Sequence, residues 1–203
     1  MFTGIVKGLA QVKSAEKKEH FLQLTLTTPA EWLQGLETGA SIAINGVCLT
    51  VVAFGDDWVR FDVIDETLRL SNLGELASGH KVNFERSLQF GSEIGGHLVS
   101  GHVHCTAEVS EVQSSADNLA LWLTLSQPAL MKYILEKGFV AVDGASLTVG
   151  RVDGARFSLH LIPETLKLTR LGSIGVGDAL NIEIDKQTQT IVDTVERVMA
   201  QRA

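Results

Sequence analysis

From Phe21 the chain alternates apolar and polar positions: Leu22, Leu24 and Leu26 fall on one side, Gln23 and Thr25 on the other. A period of two puts the leucines on one face of a strand. The same rhythm returns at Leu119, Leu121, Leu123 and Leu125, set against Ala120, Trp122 and Thr124. Each run leads to a proline beside a capping residue, in Thr28-Pro29 and Ser126-Gln127-Pro128, so a short helix is predicted after each, the second over 130–135. Further strands are predicted over 41–45, 49–54, 58–63 and 81–86, with a short helix over 66–73. Residues 2–12 read as a first strand, bent at Gly4 and Gly8.

The strands at 41–45 and 49–54 are joined through Asn45-Gly46, a dipeptide suited to the positive φ angles of a tight hairpin. The whole stretch Asn45-Gly46-Val47-Cys48-Leu49-Thr50-Val51 returns 98 residues later as Asp143-Gly144-Ala145-Ser146-Leu147-Thr148-Val149. The offset persists: Glu66-Thr67-Leu68 finds Glu164-Thr165-Leu166, Asn83 finds Asn181, and Glu85 finds Glu183. Near the start it becomes 97, pairing Gly4 with Gly101 and Ala10 with Ala107. A period of that length is the size of a small domain rather than of a solenoid unit, so the chain reads as one domain duplicated. Five or six short strands per copy suggest a mainly β protein made of compact, closed antiparallel barrels, because closure removes exposed edges.

The predicted organisation is a first barrel over 1–90, a linker over 91–97 that overlaps the glycine-rich stretch 87–96, a second barrel over 98–186 and a C-terminal helix over 187–203. In that tail, 187–189 read as a turn leading into Ile191, Val192, Val195, Val198 and Met199 at helical spacing. It has no counterpart in the first half, and two roles suit it: packing on its own barrel or joining subunits.

Charge narrows the partners. Lys and Arg number 17 against 24 Asp and Glu, with no basic stripe, which disfavours nucleic acid. No apolar run approaches the roughly 18 residues of a membrane span, and no leader pattern opens the chain, so no membrane partner and a cytoplasmic location are expected. Cys48 and Cys105 occupy non-equivalent places in the two halves, which favours free thiols over a disulfide framework. Phosphate-loop, dinucleotide and common zinc signatures are absent from the sequence.

Chemistry is therefore sought where the two copies differ. Cys48 corresponds to Ser146, Ile5 to His102, Gly39 to Lys137, Ser41 to Phe139 and Ser87 to Asp185. One half offers a thiol; the other offers an imidazole, an ammonium and a carboxylate. That division suits two similar pockets holding similar ligands in unlike roles. Cys48 reads either as a small core residue or as a nucleophile, and His102 as structural or as a proton carrier. Lys137 and Asp185 read as surface charges or as pocket residues, while Thr50 and Thr148 are β-formers whose hydroxyls could read a heterocycle's edge. His97, His102, His104 and Cys105 invite a metal reading, but a strand there would converge only His102 and His104, so no metal is expected.

Taken together, these motifs resemble the riboflavin synthase family of trimeric, two-barrel enzymes. The resemblance rests on Met1-Phe2-Thr3-Gly4-Ile5-Val6, on the two repeated stretches above, on Gly95-Gly96-His97-Leu98-Val99-Ser100-Gly101-His102-Val103 and on Leu161-Ile162-Pro163-Glu164-Thr165-Leu166, and it covers essentially the whole chain. It implies two six-stranded antiparallel Greek-key barrels, a homotrimer held by C-terminal helices, no cofactor, and lumazine synthase as a candidate partner. It also implies a dismutation of two molecules of 6,7-dimethyl-8-ribityllumazine to riboflavin and 5-amino-6-ribitylaminouracil, the last step of riboflavin biosynthesis. Carried onto this chain, Gly4, Ile5, Val6, Ser41, Cys48, Leu49, Thr50, Asp62, Val63, Ile64, Asp65, Glu66 and Thr67 line a first pocket. Gly101, His102, Val103, Lys137, Ser146, Leu147, Thr148, Leu161, Ile162, Pro163, Glu164, Thr165, Leu166 and Asp185 line a second. Cys48, His102, Ser146 and Thr148 are the implied catalytic group. The first half departs from the family in Ile64-Asp65-Glu66-Thr67, which lacks the proline found at Pro163, so the shape of that loop stays open. The competing reading is a non-catalytic, lumazine- or flavin-carrying antenna protein of the same superfamily.

Overall fold

The computed structural model describes residues 1–114 and 119–202. Twelve strands form two closed barrels. The first comprises β1 (Gly8–Lys17), β2 (Phe21–Thr27), β3 (Ser41–Ile44), β4 (Val47–Phe54), β5 (Trp58–Ile64) and β6 (Lys81–Arg86). The second comprises β7 (Cys105–Ser114), β8 (Leu119–Leu125), β9 (Phe139–Val142), β10 (Ala145–Asp153), β11 (Arg156–Leu161) and β12 (Ala179–Ile184). Around the first barrel the order is β1-β2-β5-β4-β3-β6, and the second repeats it as β7-β8-β11-β10-β9-β12. Every neighbouring pair is antiparallel, and the non-sequential β2–β5 and β8–β11 neighbours give the Greek-key path.

Alternation in the sequence becomes burial here. Leu22, Leu24 and Leu26 join Ile42, Ile44, Phe61 and Phe84 in one core, while Leu121, Leu123 and Leu125 join Val140, Val142, Phe157 and Leu159 in the other. Even the irregularities repeat: the register shifts between Val12 and Ser14 in β1 and between Val109 and Glu111 in β7. Each barrel thus has its own hydrophobic core.

The two hairpin turns pack back to back between the barrels. Asn45 and Gly46, and likewise Asp143 and Gly144, take positive φ at both turn positions, the geometry whose twist matches the flanking strands. A Cβ on Gly46 would lie 2.5 Å from the backbone nitrogen of Gly144, so side chains are excluded from this contact. Around the turns runs a buried polar network. The Asn181 amide donates to the Asn45 carbonyl and the Asn83 amide to the Asp143 carbonyl, both at 2.8 Å. The network is not symmetric, because Arg170 donates to Asp143 at 2.8 Å where the other half has Asn45 donating to Asn72.

Several local predictions are corrected. The first strand begins at Gly8, not at residue 2: Gly4 turns the chain at φ 73, and Phe2 leaves the barrel to form a two-way bridge with Val99. The helix expected over 130–135 is a 3₁₀ segment, Pro128–Tyr133, and its first-half counterpart spans Ala30–Leu33. The helix expected over 66–73 divides into α1 (Asp65–Leu70) and a 3₁₀ turn (Asn72–Glu75), because Ser71 is extended and caps the second piece. α2 (Pro163–Leu168) has the same length as α1 and the same extended cap residue before it, so the missing proline leaves the loop shape unchanged.

Residues 187–189, read as a turn, belong to α3 (Lys186–Ala200), which starts early because the Asp185 carboxylate accepts the Gln187 and Thr188 backbone N–H groups. Residue 203 of the predicted helix lies outside the described residues. On its own barrel α3 is held by Val192 packed on the core, by the Tyr133 hydroxyl donating to Asp193 and by Lys132 donating to Glu196 at 2.5 Å. Ile191, Val195, Val198 and Met199 remain exposed, Ile191 by 65%.

Candidate active site

Two pieces of irregular chain determine the site. Residues 1–6 and 98–103 pair through Phe2 and Val99, and with Ala43 and Ala141 these two residues form a small apolar cluster that Cys48 joins. From that bridge each piece crosses to the other barrel. Val6 is buried in the core of the second barrel, and Val103 packs against the core of the first. The Ser146 N–H donates to the Gly4 carbonyl at 2.8 Å, and the Cys48 N–H to the Gly101 carbonyl at 2.9 Å. The approach is close enough that a Cβ on Gly4 would sit 2.6 Å from the Ser146 Cβ, and one on Gly101 would sit 2.5 Å from that of Cys48.

This exchange corrects the grouping read from sequence. Gly4, Ile5 and Val6 line a cavity of about 190 Å³ with Ser146, Leu147, Ile162, Glu164 and Thr165, all of the second barrel. Gly101, His102 and Val103 belong with Cys48 and the first barrel. Of the implied catalytic group, Cys48 and His102 therefore share one seat, and Ser146 and Thr148 the other. The crossing follows from the Phe2–Val99 bridge, a contact that repeat spacing does not encode.

In the first seat Cys48 stands half-buried on β4 opposite Ala43, and Ser41 lies across from the exposed Thr50. Leu49 and Val63 point into the core, so what they offer a ligand is backbone. Asp62 and Ile64 project outward from β5, Asp62 within 3.4 Å of the Gln23 amide. In α1, Asp65 is exposed, Thr67 is half-buried, and Glu66 is held in an exposed pair with Arg69. His102 is exposed, its N–H 3.3 Å from the Ser100 hydroxyl.

In the second seat Ser146 stands on β10 opposite Ala141, with Thr148 exposed opposite Phe139. Leu161 and Leu166 pack into the core, and Pro163 opens α2. Lys137 is exposed in the turn before β9 at φ 66, a left-handed conformation that a lysine adopts at a cost, where the first half has Gly39 at φ 91. Asp185 is committed to capping α3.

Sequence reasoning missed the partner of Ser146. His97, only 8% exposed, has Nδ1 2.7 Å from the Ser146 hydroxyl and its ring stacked on Phe139 at 5.1 Å. Burial lowers its pKa below the ordinary imidazole value, opposed by the negative charges of Asp185 and Glu183. A signal was present in Gly95-Gly96: a Cβ on Gly96 would meet the Thr3 carbonyl at 2.2 Å and Ser146 beyond it, so glycine is what lets His97 arrive. The strand expected to carry His102 and His104 is corrected: residues 102–104 precede β7, Cys105 is buried in the core and the His104 ring accepts the Ile184 N–H. Among the described residues no three His, Cys, Asp or Glu side chains are grouped to hold a metal ion. Both thiols are free.

The lumazine binding domain family matches this chain twice, over residues 3–87 and 100–185. The chain is 53% identical to the riboflavin synthase of Escherichia coli (strain K12), covering all of this chain and 95% of that protein. It is 42% identical to the riboflavin synthase of Chlamydia pneumoniae, covering 98% of both. Among solved structures it is similar to LumP complexed with riboflavin, with a TM-score of 0.85 and 28% identity over 92% of this chain and 100% of that one. LumP complexed with 6,7-dimethyl-8-(1'-D-ribityl) lumazine gives a TM-score of 0.81 and 27% identity over 90% and 98% of the two chains.

Proposed function

The chain belongs to the riboflavin synthase family, and from that premise we propose that it converts two molecules of 6,7-dimethyl-8-ribityllumazine into riboflavin and 5-amino-6-ribitylaminouracil. One molecule gives up four carbons and the other gains them, so the reaction balances without a redox cofactor. The observation that carries this reading is a duplicated seat with unlike chemistry: equivalent crossing segments, 98–103 at the first barrel and 1–6 at the second, bond to matching strands, yet one seat presents Cys48 and His102 and the other Ser146, Thr148 and His97.

One lumazine loses a proton from its 7-methyl group while the other is activated at C7 by a nucleophile, either water or the Cys48 thiol. His102 carries protons at the first seat. At the second, burial keeps His97 neutral, and with its proton on Nε2 the ring accepts from Ser146 through Nδ1, preparing that hydroxyl to relay a proton. Thr148 and the remaining wall residues orient the ring. Holding two identical molecules face to face supplies much of the acceleration, since effective molarity can exceed about 10⁵ M.

The proposed assembly is a homotrimer in which the first seat of one subunit faces the second seat of a neighbour. The exposed stripe Ile191, Val195, Val198 and Met199 on α3 supports it, as an apolar face that the protein's own barrel leaves uncovered. A cytoplasmic location and an association with lumazine synthase complete the reading. No described helix is long and apolar enough to cross a membrane.

Incubation of the purified protein with the lumazine tests the reaction: two lumazines should disappear for each riboflavin that appears, and C48S or H102Q should slow turnover while the lumazine still binds. Binding without conversion would leave a carrier of the LumP kind. A C48S/H102Q double variant turning over at full rate would remove the acid–base assignment.

A further inference from the structure

The last strand of each barrel ends in a buried glutamate whose partners lie on a crossing segment. Glu183, 5% exposed on β12, accepts the Ser100 N–H and the Ser100 hydroxyl on Oε1, both at 2.7 Å, and the Gly101 N–H on Oε2 at 2.9 Å. The Ser100 hydroxyl then receives the His102 N–H, and the Gly101 carbonyl receives the Cys48 N–H. A single carboxylate of the second barrel thus holds the stretch that carries His102 and rests on Cys48, both in the seat of the first barrel. Gly101 is left-handed at φ 82, so its position is set by these bonds at either end rather than by a side chain of its own.

Glu85 on β6 makes a related but looser clamp. Its Oε1 accepts the Thr3 N–H and hydroxyl at 2.7 and 2.8 Å, while its Oε2 accepts no hydrogen bond among the described residues. An NH₂ group in place of Oε2 of Glu85 breaks no hydrogen bond there, and the Gly4 and Ile5 N–H groups that also face this carboxylate lie on the segment that serves the other seat. The same change at Glu183 sets two donors against each other, at the Gly101 N–H or, with the amide flipped, at Ser100.

We infer that Glu183, a residue of the second barrel, is the positioning residue for the ligand seat of the first, fixing Gly101 and His102 against Cys48. The inference rests on the proposed reading of that seat as a flavin and lumazine site. It separates positioning from general support, because the isosteric change at Glu183 should reach Cys48 and the matching change at Glu85 should reach it far less.

The test is alkylation of Cys48 by iodoacetamide in the full-length protein with increasing riboflavin, the modified peptide identified by mass spectrometry. In the wild type riboflavin should protect Cys48. In E183Q half-protection should need about tenfold more riboflavin, the loss of one hydrogen bond to a charged group, and in E85Q less than about threefold more. If E183Q yields too little folded protein, S100A, which removes the hydroxyl between Glu183 and His102, should shift protection in the same direction by about threefold. Protection in E183Q or S100A equal to the wild type would overturn the inference, as would equal shifts in E183Q and E85Q. An unprotected wild-type Cys48 would instead contradict the reading of the seat itself.

Discussion

Ser146 on β10 has the His97 imidazole against its hydroxyl, and that contact makes His97 the residue on which the second seat turns. Its folded imidazole takes a proton less readily than an unfolded one. The stability it contributes is therefore present above the ordinary value of 6.5 and is lost as pH falls through its lowered folded pKa. The same shift keeps the ring neutral, so the part of the acid limb of the kcat profile that reports His97 should lie below pH 6.5. H97Q should lose that limb and lower kcat by about 10²-fold, with KM changed much less. A profile unaltered in shape would leave Ser146 without its base. Cys48 and Ser146 were legible in the sequence because the copies differ there. His97 was not, because it precedes the matched stretch and has no counterpart to be compared with.

Among the elements, the strands were the most legible, since Leu22, Leu24 and Leu26 face a barrel interior and a period of two reports that directly. Residues 1–6 and 98–103 were the least: their spacing marks them as equivalent, yet which barrel each serves is decided by the Phe2–Val99 bridge between segments far apart in sequence. α3 is legible as a helix and ambiguous as a surface, because Val192 faces the barrel while Ile191 and Val195, its neighbours in the same apolar run, face outward. V195D should leave the barrel contacts of α3 intact while dissociating the proposed trimer, as followed by analytical ultracentrifugation. Turnover should fall with the trimer fraction, since in the proposed trimer each pair of facing seats spans two subunits. A fully active monomer would contradict the shared site.

At the scale of the molecule the two barrels are joined by polar groups that must all be satisfied. Asp143 is fully buried, and desolvation raises its pKa from 3.8 to about 6 despite the Arg170 charge and the donors from Asn181 and Asn72. Its contribution to stability is thus fully present below pH 3.8 and is lost as pH rises through about 6. The first half solves the same contact without charge, through Asn45 and Asn72. R170N alone should cost about 3 kcal/mol by leaving a buried carboxylate short of its partner. Adding D143N, which rebuilds the first half's pair, should recover about 1–3 kcal/mol in denaturant unfolding. The double variant should also lose the wild type's fall in stability between pH 3.8 and about 6. Additive losses would show that the pair is not a unit.

The central claim is that each chain carries two seats for the same heterocycle. Equilibrium dialysis with an unreactive 8-ribityllumazine lacking the 7-methyl group counts them directly. Two molecules bound per chain at saturation, with different affinities, is the predicted result; saturation at one per chain would contradict it.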